Sequence, residues 1–197
     1  MKIDAPPDLN PEEIKCFNEI VKPQLEETYS YEYDEFEFGH IRIFISKEQF
    51  PDYTKRPNVE EIENILSKIQ EKDLKFISDI YFVSYHCKEN NGKEIKGRTL
   101  PIIYKIIIYP KAYDRLKVIL THEIAHVIFE KGLSKELKLL FASEIVKSFL
   151  QIILWSQEKR DKFIREEFVN CYDNFINNQK RLKQFPLLYD FFKRYIF

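Results

Sequence analysis

The sequence has almost no excess charge. Its 31 basic side chains nearly cancel 32 acidic ones, leaving a formal net charge of -1. The strongly basic face that nucleic acid demands is therefore missing, and nucleic acid is not an expected partner. Nor does any run approach the roughly 18 apolar residues of a membrane span. The longest stretches, 102–109 and 149–155, are short and are interrupted by Lys105 and Gln151, so no membrane partner is expected. The N-terminus places Asp4, Pro6 and Pro7 where a signal peptide would carry its apolar segment, which points to a cytoplasmic protein. Cysteine is sparse too. Cys16, Cys87 and Cys171 are odd in number and far apart, so neither a disulfide framework nor a zinc knuckle follows. Internal repeats and low-complexity tracts are absent. With only 4 Gly and 7 Gln against 26 Ile and heavy use of Lys and Glu, the composition resembles that of hyperthermophile proteins.

What is present suffices for a folded core. Hydrophobic residues make up 44% of the 197 residues and aromatics 15%, which excludes wholesale disorder and fits one domain over residues 1–197. Residues 1–10, with two prolines, read as a flexible tail. Asn10 and Pro11 can start a helix running to about Glu27. Alternation of Ile41, Ile43 and Ile45 with Arg42, Phe44 and Ser46 predicts a strand over 36–46. Pro57-Asn58 introduces an amphipathic helix carrying Ile62, Ile65, Leu66 and Ile69. A second strand is expected over 77–87, followed by a turn at Glu89-Asn90-Asn91-Gly92, and a third between Pro101 and Pro110. The pattern then turns helical. One helix runs from Asp114 to Glu130 and stops at Gly132, another from Ser134 to about Gln157, a third from Asp161 to about Lys183, and a last from Pro186 to Phe197. A helix-and-strand part (11–110) followed by a helical part (111–197) predicts an α+β fold.

Half of the four histidines fall in one turn of the Asp114 helix, in Thr121-His122-Glu123-Ile124-Ala125-His126. Residues four apart on a helix are separated by about 40°, so both imidazoles can reach one metal ion. Glu123 then projects beside that ion, where a carboxylate can take a proton from bound water. A bland reading also exists, in which the two histidines are partly buried and satisfy each other. A catalytic zinc site needs a third protein ligand and an open position. No His follows Gly132, so the donors downstream are carboxylates. Glu130 and Glu136 are too close along the chain, Glu144 lies on a helix rich in core residues, and the best candidates are the neighbours Glu166 and Glu167.

His122-Glu123-x-x-His126, followed about 40 residues later by a helical Glu, resembles the gluzincin zinc metallopeptidases. Within them, Glu166-x-x-Val169-Asn170-x-Tyr172 is similar to the Glu-x-x-Ala-Asn-x-Phe pattern of ImmA/IrrE-type peptidases, and lethal-factor-like proteins carry a related stretch. The resemblance covers about residues 100–180. It implies a zincin-like fold, with a small sheet, an active-site helix and a helical C-terminal part. It also implies one Zn2+ ion on His122, His126 and Glu166, with Asn170 supporting a ligand from behind and Glu123 as general base of peptide hydrolysis. Shifting the register by one makes Glu167 the alternative third ligand, with Cys171 in the supporting position. Val169 in place of a small Ala and Asn170 in place of an acid depart from these patterns, which keeps open a catalytically weak zinc-binding domain acting as a binding or regulatory module.

A peptide or protein substrate is expected, paired by strand addition along residues 102–109. Tyr109, Tyr113, Tyr172 and Tyr189 could donate to a developing oxyanion, although any of 12 tyrosines is more readily a packing residue. His40 and His86 read as structural.

Overall fold

The computed structural model describes residues 3–89 and 92–197. Helix α1 (Pro11–Cys16) opens on a reciprocal cap, in which Asn10 Oδ1 accepts from the Glu13 amide and Glu13 accepts from the Asn10 amide, each at 3.0 Å. One wider turn (Phe17–Val21) joins it to α2 (Lys22–Thr28). Next come β1 (Tyr33–Phe38), β2 (Ile41–Ser46), α3 (Val59–Leu66), α4 (Glu71–Leu74), β3 (Asp79–Phe82), β4 (Gly97–Leu100) and β5 (Lys105–Ile108). A 3₁₀ turn (Pro110–Arg115) leads into α5 (Leu116–Val127), which widens into a π turn (Ile128–Gly132). Then follow α6 (Lys135–Ser148), a 3₁₀ turn (Leu150–Leu154), α7 (Gln157–Asn177), α8 (Gln179–Leu182) and α9 (Pro186–Phe191), closed by a π turn (Phe192–Ile196).

The fold is a mixed one of helices and a five-stranded sheet of order β1-β2-β3-β5-β4. The chain forms two compact units, residues 1–64 with 77–119, and residues 65–76 with 120–197.

In the sheet unit, β2, β3 and β5 run parallel, with antiparallel β1 and β4 at the edges. Strands β3 and β5 carry near-continuous apolar runs, and Ile80, Phe82, Ile106, Ile107 and Ile108 are fully buried, as expected for strands covered on both faces. Phe17, Val21 and Leu25 recur at helical spacing and join Tyr81, Val83, Ile107 and Tyr109 in one core cluster. The N-terminal segment is not a free tail over its described part, because Ile3, Ala5 and Leu9 pack against the same cluster. The strand expected over 36–46 is a hairpin whose turn is Gly39-His40, where Gly39 has φ +60. Of the expected turn 89–92, Asn90 and Asn91 lie outside the described residues; the Gly92 amide donates to the Glu89 carbonyl at 2.8 Å.

The strand read between Pro101 and Pro110 is corrected in two respects. Residues Pro101–Tyr104 form a turn with Ile102 at φ 73 and Tyr104 at φ 50, so only Lys105–Ile108 is extended. That strand pairs with β3 on one side and β4 on the other, which leaves no edge along which a substrate backbone could add. Alternation could not reveal this, since β4 (Gly97-Arg98-Thr99-Leu100) has no apolar pattern to announce it.

The ionic centre of this unit is a single rung across three strands. Asp79, fully buried, accepts from Arg42 Nη2 at 2.7 Å, from Lys105 Nζ at 2.5 Å and from Ser78 Oγ at 3.1 Å. Lys105 also donates to the Tyr29 hydroxyl at 3.0 Å. Every partner is a donor to one carboxylate, so the cluster is complete in itself.

The helical unit is held by aromatic side chains. Phe168, Tyr172 and Phe175 form the buried stripe of α7, and Phe168 meets Phe129, Phe141 and Phe192 at centroid distances of 5.3, 5.3 and 5.2 Å. Tyr172 donates to Asp73 Oδ2 at 3.0 Å. Burial pushes the Asp73 carboxyl up from its ordinary value, and that hydrogen bond partly offsets it. Gly132 ends the π turn for a steric reason, since a Cβ there would stand 3.2 Å from Ile128 Cγ2. Helix α7 starts earlier than Asp161 because Ser156 caps it by accepting from the Lys159 amide.

Candidate metal centre

Helix α5 is a largely apolar helix interrupted by Lys117, Thr121, the two histidines and Glu123; Leu120, Ile124, Ala125 and Val127 around the histidines are fully buried. This packing fixes the backbone that carries the imidazoles. The Nε2 atoms of His122 and His126 face each other at 3.2 Å, with the rings inclined at 83°. Helix α7 supplies the third group. Glu166 Oε2 lies 3.9 Å from His122 Nε2, and Glu166 Oε1 lies 4.0 Å from His126 Nε2. One ligand atom from each of the three falls within 4.8 Å of the others, and no other trio of His, Cys, Asp or Glu does so among the described residues.

Burial lowers the pKa of His122, against the opposing fields of Glu166 and Asp173. Burial, the neighbouring His122 and the Arg165 cation lower that of His126 to about 4. Both rings are thus held in the neutral form that a cation requires of an imidazole. The donor set is two neutral nitrogens and a carboxylate, an ordinary triad for zinc. Two nitrogens roughly 2.0–2.1 Å from a tetrahedral ion are about 3.3 Å apart, so the imidazole pair fits such an ion closely. The carboxylate stands a little farther out, with 42% of its side chain exposed and free to close in.

Glu123 sits one residue beyond His122, buried at 6% exposure. Glu167 points elsewhere. It is half-buried, its pKa is raised by burial and by its neighbour Glu166, and it lies outside the trio. Asn170 does not take the supporting place expected of it. Its side chain is exposed and reaches back to Glu167 Oε1 at 3.5 Å, touching neither histidine. Cys171 is buried, and its thiol is pushed up to about 12 by that burial and by Glu167.

The acid missing from the sequence reading is Asp173. Seven residues after Glu166, it returns to within about 20° of the same azimuth on the helix, and its field acts on His122. Asn177, four residues on, donates to Asp173 Oδ1 at 2.7 Å and lies 3.4 Å from Thr121 Oγ1. Glu166, Asp173 and Asn177 form one polar stripe along α7. The i, i+7 spacing was the signal that could have found it.

The other candidates are committed to structure. Tyr109 donates to Gln24 Oε1 at 3.1 Å, Tyr113 to the Val83 carbonyl at 2.6 Å, and Tyr172 to Asp73, while Tyr189 stacks on Phe175. Glu130 pairs with Arg165 at 3.0 Å and Glu144 with Lys147 at 2.8 Å. His40 sits in the hairpin turn, and the Tyr53 hydroxyl lies 2.5 Å from His86 Nε2.

No protein-family model matches the chain, and neither a curated protein nor a solved structure does.

Proposed function

We propose that the chain is a zinc-dependent metallopeptidase of the gluzincin kind, with a zincin-like arrangement of its helices. The observation that carries this reading is the convergence of His122, His126 and Glu166, from two helices, around one point. His122, His126 and Glu166 hold the ion. Zinc bound there supplies Lewis acidity and an acidified water. Glu123, next to the first ligand, accepts the proton of the attacking water and returns it to the leaving amine. Asp173, which accepts from Asn177, adds its negative field at His122, where it would favour a bound cation. The substrate is a peptide or protein.

Glu123→Gln tests the reading, because it preserves size and hydrogen bonding and removes the base. The expected result is stoichiometric zinc with proteolysis of casein reduced by on the order of 10² or more. Unchanged turnover would place hydrolysis elsewhere. A wild-type chain that binds zinc and cleaves nothing would make it a binding module.

A further inference from the structure

The turn between α6 and α7 exposes more aliphatic surface than any core requires. Leu150, Ile153 and Leu154 are 66%, 52% and 90% exposed, while Ile152 between them is fully buried. The base beneath is rigid and aromatic. Trp155 and Phe149 both pack on Phe163, at 5.2 and 5.7 Å, and Phe149 also meets Phe185 at 5.8 Å. A stiff base under bare aliphatic side chains is not a fraying loop, and contiguous exposed apolar surface of this kind marks an interaction site.

We propose that this turn seats the protein on the interface of a lipid bilayer. Three features favour lipid over protein. A side chain 90% exposed projects beyond its neighbours, so the surface is convex; a protein partner must offer a matching pocket, whereas a bilayer accepts a projection without shape complementarity. Three aliphatic side chains also fall well short of the roughly 800 Å² per partner that a stable protein interface takes. Finally, the flanks are those of an interfacial anchor. Trp155 is an amphipathic ring at the foot of the tip, and Lys159 Nζ lies 4.2 Å from its centroid. Lys147 and Glu144 pair with each other, which leaves Lys159, Arg160 and Lys162 against Glu158 and Asp161 along the flanking sequence. The apolar contribution therefore dominates and charge adds a minor part. No helix among the described residues is long and apolar enough to cross a membrane, so the seating is peripheral. It stands independently of the metal centre.

Trp155 is the sole tryptophan, so its fluorescence reports the tip alone. The full chain is titrated with vesicles of phosphatidylcholine and phosphatidylglycerol, with and without brominated acyl chains. We expect a blue shift, quenching by the brominated lipid and co-sedimentation with the vesicles. Leu150→Asp with Leu154→Asp should lower the partition coefficient at least tenfold, and omitting phosphatidylglycerol only a few-fold. Unchanged emission without co-sedimentation overturns the proposal, as does binding that survives the double substitution. A concentration-dependent dimer without lipid binding, abolished by the same substitutions, assigns the tip to a second copy and also overturns it. Near-ultraviolet circular dichroism verifies the variant's fold, and bromolipid quenching of the unmutated chain decides the matter if that variant misfolds.

Discussion

The sheet unit and the helical unit each gather ionisable side chains at one point, and they resolve them in opposite ways. Around Asp79 one acceptor faces three donors, Arg42, Lys105 and Ser78, and the carboxylate is fully buried. Around His122 and His126, two neutral rings with Nε2 atoms 3.2 Å apart face the Glu166 carboxylate at 3.9 and 4.0 Å, beyond hydrogen-bond reach. A buried carboxylate met by donors on every side is a clasp. A carboxylate held near two imidazole nitrogens but hydrogen-bonded to neither is a donor set a cation would complete, and this asymmetry is why the reading of function rests on α5 and α7 and not on the sheet.

The comparison breaks hardest at the clasp. Asp79→Asn leaves Lys105 charged in a largely buried place, and loss of one partner of a buried ion pair costs about 3–5 kcal/mol. Urea unfolding should show that loss, whereas His126→Ala should leave the metal-free chain close to wild type. Equal destabilisation by both would erase the distinction between the clusters.

Zinc affinity sharpens the other half. His122→Ala, His126→Ala and Glu166→Ala should each abolish retention of the ion through gel filtration, since two protein ligands rarely hold it. Glu167→Ala should leave retention intact, and the reverse order would move the third ligand by one residue. Asp173→Ala, which removes a negative field from His122, should weaken zinc binding by up to about 10-fold, the low end for groups beyond the ligands, and Asn170→Ala should change it little. Competitive titration with a chelating dye separates the two.

The smallest effect contrasts the thiols of the two units. Cys16 and Cys87 are half-exposed and Cys171 is buried with its pKa at about 12. A disulfide reagent at mild pH should therefore count two fast thiols in the native chain and a third only after denaturation.

These outcomes map onto what could be read from residues alone. The pair His122 and His126 was legible because i, i+4 on a helix has one geometric meaning. Glu166 was legible as a helical carboxylate downstream. Asn170 was misplaced because one turn along α7 already swings about 40° away, enough for its amide to find Glu167 instead. Asp173 was overlooked because it needs two turns, where the periodicity is subtler. In the sheet, Gly39 hid a hairpin inside one continuous alternation, and β4 was invisible because its four residues owe their conformation to pairing with β5. Pairing is a tertiary fact, and strand propensity carries little of it.

That same strand order has a consequence for how the protein behaves in a crowded solution. With β5 enclosed, the sheet ends at β1 and β4. The β4 end is only four residues long. The β1 end is longer, and it carries Asp34, which pairs with Arg56, and the exposed Glu35 and Glu37. Short length at one margin and repeated negative charge at the other are recognised defences against edge-to-edge aggregation. The second of these can be switched off by solvent conditions. Salt that screens those carboxylates weakens the repulsion between like edges, so self-association through β1 belongs to high-salt solutions.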